Sequence, residues 1–146
     1  MKVEHLPAQA LRRVLPVLED LRHDLGKYVC FETRFTGLDA ELPALRAALQ
    51  ADLRATRRRG AEVETAWALW ARLRPAVRED GMLADDPDVH ELDLAVARLA
   101  AADLDGDRAA LLAAAAQAEQ VRQLTRRLHD RARQAALVLG LDPDEP

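Results

Sequence analysis

Leu11, Val14, Leu18, Leu21, Leu25 and Tyr28 recur at intervals of three and four residues, the spacing of a helix that packs along one face. The same rhythm returns at Leu42, Leu45 and Leu49, at Val63, Ala66, Trp70, Leu73 and Val77, and again at Val89, Leu92, Val96 and Leu99. A chain with this period in every segment has little room for strands. Composition agrees: Ile is absent, aromatics reach 3%, and Leu, Ala, Arg and Glu supply good helix formers throughout. The 146 residues, 49% of them apolar and 32% charged, suit one globular core. The expected fold is an all-α, antiparallel four-helix bundle, up-down-up-down, with a long second helix. Residues 1–140 form the single domain and 141–146 a short acidic tail.

Helix boundaries follow from local signals. The first helix is expected over about 7–36, with Pro16 either kinking it or setting off a short first piece, and Gly37 stopping it. The second is expected over about 40–78. Its seam turns polar at Asp52, Thr56 and Arg59, so it either projects past the core or breaks near Gly60; one helix, bent at Gly60, is the preferred reading. A second copy of the chain would cover such a polar seam, which makes a homodimer a candidate arrangement. Asp86-Pro87 reads as an N-cap with proline in the first turn of a third, shorter helix ending near Asp105-Gly106. The fourth runs from Asp107 to about Leu139, and its Ala-rich start lets a neighbour approach closely.

Several functions are excluded by what the chain lacks. It contains no Ser and no Asn, hence no serine nucleophile and no Ser- or Asn-based phosphate loop. Its glycines are scattered. Cys30 is the single cysteine, so neither an intrachain disulfide nor a Cys-based zinc site can form. The net charge of −4 gives no overall attraction to nucleic acid or to an anionic membrane. Met1-Lys2-Val3-Glu4-His5 lacks the apolar core of a signal peptide, and no uncharged stretch would span a bilayer, so a cytoplasmic protein is expected. No cofactor or metal is expected.

One segment departs from the Leu-Ala-Arg background. Residues 22–35 hold the only Tyr, the only Cys, both Phe and one of the two Lys. If Leu18, Leu21, Leu25 and Tyr28 form the seam, His23 faces away from it, with Glu19 one turn before and Lys27 one turn after on the same side. A carboxylate there can orient the ring and an ammonium can offset phosphate charge. Gly26 invites close approach by a partner helix or ligand, and Tyr28, Phe31 and Phe35 offer either core packing or a partner-binding patch. Trp67 sits off the main stripe of the second helix and is a candidate interface anchor. Arg57, Arg58 and Arg59, with Arg54, form a basic patch for a phosphate or an acidic partner, or else a solvated surface.

Leu21-Arg22-His23-Asp24-Leu25 resembles the phosphoacceptor motif of histidine-kinase dimerisation helices and bundle phosphotransferases, in which an acidic residue follows an exposed His. The resemblance implies that His23 accepts the phosphoryl group, Asp24 assists as acid or base, Lys27 steadies the phosphate, and the partner is a response-regulator-like protein. The proline common after the kinase histidine is absent, and no ATP-binding domain follows. His23-Asp24 is also similar to the doublet of the HD phosphohydrolases, all-α enzymes that bind divalent metal. His129-Asp130 supplies a second doublet. Simple antiparallel pairing of the first and fourth helices would set His129 level with Pro16, roughly 10 Å along the axis from His23. That distance is too long for the two to share one metal. The leading reading is therefore a non-enzymatic helical signalling or adaptor domain; a metal phosphohydrolase and a purely structural interaction module are the alternatives.

Overall fold

The computed structural model describes residues 2–26, 43–73 and 86–142, with the side chains of 24–26, 44–45 and 63–73 excepted. A short 3-10 turn at Val3–His5 leads into α1 (Ala8–Gly26), followed by α2 (Pro43–Leu73), α3 (Pro87–Ala101) and α4 (Arg108–Val138). The described residues are helical with no strand, as the period of the sequence requires. Among them α4 touches every other element, whereas α1 and α3 do not meet and lie on opposite sides of α2 and α4.

The seam of α1 is buried as its spacing predicts: Leu11, Val14, Leu18 and Leu21 all enter the core. The helix runs through Pro16, which is exposed, so the carbonyl it leaves without an intrahelical partner lies on the outer side. Along α4, Ala114, Ala115 and Ala118 are fully buried, and small side chains there bring neighbouring helices close. Gly140 ends α4 in the left-handed region (φ 74°). The Leu141 amide donates to the Ala136 carbonyl at 2.9 Å and the Gly140 amide to Leu137 at 3.0 Å, a Schellman closure that packs Leu141 on the core.

The polar stretch of α2 neither projects past the core nor breaks. Residues 43–73 form one helix in which Leu49, Leu53, Thr56 and Gly60 are buried. Thr56 turns its hydroxyl back to the Asp52 carbonyl at 2.8 Å, which satisfies it locally. A Cβ on Gly60 would stand 3.2 Å from Val96 Cγ2, so the glycine marks where α2 closes on α3. The homodimer no longer follows from an uncovered seam, because α3 and the loop after it cover that seam within the chain.

The third helix ends at Ala101, earlier than the expected Asp105-Gly106. Ala102 is extended, and Arg57 reaches across from α2 to the carbonyls of Leu99 (3.1 Å) and Ala102 (2.6 Å). A guanidinium here satisfies carbonyls that a helix end leaves open. Arg46 donates to the Gly106 carbonyl, Gln50 to that of Leu104 at 2.9 Å, and Arg54 pairs with Asp105 at 2.5 Å. These polar residues of α2 hold the α3–α4 loop.

Candidate functional site

The opening of α3 is built on Asp86. Its carboxylate caps the helix by accepting from the amides of Asp88 (3.0 Å) and Val89 (3.3 Å), and also accepts the Val3 amide at 3.0 Å. From α4, Arg131 meets it end-on, with Nη1 3.0 Å from Oδ1 and Nη2 2.7 Å from Oδ2. The same guanidinium reaches Glu4 (2.5 and 2.8 Å) and Asp88 (2.8 Å), while Arg127 holds the other oxygen of Asp88 at 3.0 Å. Asp86 is fully buried and Arg131 only 22% exposed. The hydrogen bond from Arg131 holds the Glu4 carboxyl below its ordinary value. Burial alone would raise the Asp86 carboxyl, but Arg131 and the Val3 and Val89 amides outweigh it and hold this carboxyl low as well. Glu4 first, and then Asp86, push the Arg131 guanidinium well above its ordinary value. This group ties three parts of the chain together and leaves no vacant acid or base. Its long-range partners carry no local sequence signal.

His23 lies on the exposed side of α1, as the seam requires. Its expected neighbour Glu19 is engaged elsewhere: Glu19 Oε2 stands 3.4 Å from Nε2 of His129. Arg22 Nη1 lies 3.1 Å from the Nδ1 atom of the same ring, and Asp130 Oδ1 is 3.4 Å from that nitrogen. Arg22 and Asp130 approach each other at 3.6 Å. His129 itself is 1% exposed. An arginine can only donate, so with Arg22 bonded Nδ1 is an acceptor, and the neutral ring carries its proton on Nε2, facing Glu19. The expected register of α1 on α4 is thus corrected by about one turn: His129 meets Glu19 and Arg22, not Pro16. The simple antiparallel pairing takes no account of the Val3–His5 turn, which also packs on α4.

The two imidazoles divide cleanly. His23 is available to solvent and His129 is enclosed by charged groups. Among the described residues no three His, Cys, Asp or Glu side chains converge as metal ligands, and the carboxylates nearest His129 sit on opposite edges of its ring. Of the basic patch, Arg57 holds the end of α3 and Arg59 pairs with Glu62 at 2.6 Å, while Arg58 is exposed. Gly26 is the last described residue of α1. The side chains of Asp24 and Trp67, together with Lys27, Tyr28, Phe31 and Phe35, lie outside the described residues. No helix among those described is long and apolar enough to cross a membrane. Comparison with protein-family models, curated proteins and solved structures returned no match for this chain.

Proposed function

We propose that this protein is a non-enzymatic, cytoplasmic helical signalling or adaptor domain whose phosphoacceptor is His23, exchanging a phosphoryl group with a response-regulator-like partner. The observation that supports it is the exposure of His23 on the outer side of α1, directly behind a seam buried at Leu18 and Leu21. A ring nitrogen so placed can attack phosphorus in line and let the donor's leaving group depart on the far side. The rigid helix behind it fixes the direction of approach. Glu19 is held at His129, so any acid or base help for His23 falls to Asp24, and neutralisation of phosphate charge to Lys27.

Incubation with phosphoramidate followed by intact mass measurement tests the proposal. The expected result is a single phosphoryl adduct that mild acid removes and that His23→Gln abolishes. An adduct that persists in His23→Gln, or none at all, overturns it. A purely structural interaction module is the second reading, favoured by the exposed apolar run Leu137, Val138 and Leu139 at the end of α4. On that reading, replacing these three residues with polar ones lowers an oligomer mass or abolishes a partner contact.

A further inference from the structure

His129 is a buried titratable group that phosphoryl transfer at His23 does not use. Its Nδ1 atom has two neighbours that need opposite states of the ring. Arg22, at 3.1 Å, can bond only to a bare nitrogen; Asp130, at 3.4 Å, can bond only to a protonated one. Glu19, at 3.4 Å from Nε2, accepts in both states. Among the described contacts of the ring, two carboxylates face one guanidinium while it is neutral, and protonation adds a second cation.

We propose that His129 is a proton-operated junction between α1 and α4, in which protonation of Nδ1 releases Arg22 from the ring and hands that nitrogen to Asp130. The proton comes from solvent by way of the Asp130 carboxylate, which is 59% exposed while the ring is not. It takes up the Nδ1 lone pair, the bond from Arg22 breaks, and an Nδ1–H···Oδ1 bond forms. Arg22, itself partly exposed, turns outward on the stretch of α1 that carries His23. Among the described residues, other charged groups lie on α4 and on the elements packed against it. Arg126 and Arg133 lie about one turn away on α4, on either side of His129. Glu4, Asp86 and Asp88, from the N-terminal turn and the start of α3, are committed to Arg131 and Arg127. On α2, Arg46, Arg54, Arg57 and Arg59 serve the end of α3, the loop after it, or Glu62. The junction needs no phosphoryl chemistry.

Imidazole nitrogen NMR on the 15N-labelled protein, followed from about pH 8 to pH 5, tests it. At the alkaline end the His129 ring is expected as the Nε2–H tautomer with Nδ1 bare. On acidification Nδ1 gains its proton, and over the same interval the Arg22 guanidinium protons lose protection from exchange. In Glu19→Gln/Asp130→Asn the ring takes up its proton only at lower pH. The wild-type titration decides the matter should that variant fail to fold. An Nδ1–H tautomer at pH 8, a ring that stays neutral while near-UV dichroism shows the fold intact, or Arg22 signals unmoved by the titration would each overturn the proposal.

Discussion

Arg131→Met removes the counter-charge of Asp86 and leaves a buried carboxylate with only amide donors. Breaking a buried ion pair from one side costs about 3–5 kcal/mol when both partners are enclosed. Here Asp86 is fully buried, but Arg131 is 22% exposed and the amides of Val3, Asp88 and Val89 still bond the carboxylate, so the lower end, about 3 kcal/mol, is expected. Loss of the Glu4 contact adds less, because that side chain is 43% exposed and water can take over much of the bonding. For a chain of this size the melting temperature should fall by roughly 10 °C. Urea unfolding at constant m-value is the assay, and Arg127→Met is the control. Arg127 also meets Asp88 at 3.0 Å but is 61% exposed, and its removal should cost no more than about 0.5–1 kcal/mol. The Glu4 and Asp86 carboxyls are depressed in the folded state, so their contribution is complete above the ordinary carboxylate range and is lost as pH falls through the lower folded values. The gap between wild type and Arg131→Met should therefore be full at pH 7 and narrow below about pH 4. Equal losses in the two variants, or a gap that does not change with pH, would refute the reasoning.

Two further substitutions probe the interior. Gly60→Leu drives a branched side chain into Val96, where even a Cβ would stand at 3.2 Å, and should destabilise by about 2 kcal/mol in thermal unfolding; a neutral result would mean that α2 does not close on α3 there. Thr125 is fully buried and its hydroxyl has no hydrogen-bond partner among the described residues, so Thr125→Val should raise stability by about 1 kcal/mol in urea; a loss of that size would reveal a partner for the hydroxyl.

Much of the fold could be read from the sequence because its signals are local. The α1 seam, the Asp86 cap and the alanines of α4 each declare themselves within a turn or two. The basic patch of α2 was opaque for the opposite reason. What makes Arg57 a buried-edge residue is the end of α3, more than forty positions away, and nothing near Arg57 announces that partner. The same holds for Arg131, whose neighbours in the chain read as an ordinary solvated helix face. His23 and His129-Asp130 stood out as candidates, but a sequence does not carry the register of two helices that are not consecutive. A displacement of about one turn was enough to move Glu19 from one imidazole to the other.

The claim on which the proposed function depends is that the His23 imidazole is open to solvent whereas that of His129 is enclosed. Diethylpyrocarbonate labelling of the native protein at neutral pH, quantified peptide by peptide, measures this directly. His23 should react at least about tenfold faster than His129, whose labelling requires the α1–α4 contact to open. Comparable rates, or a faster His129, would contradict the account.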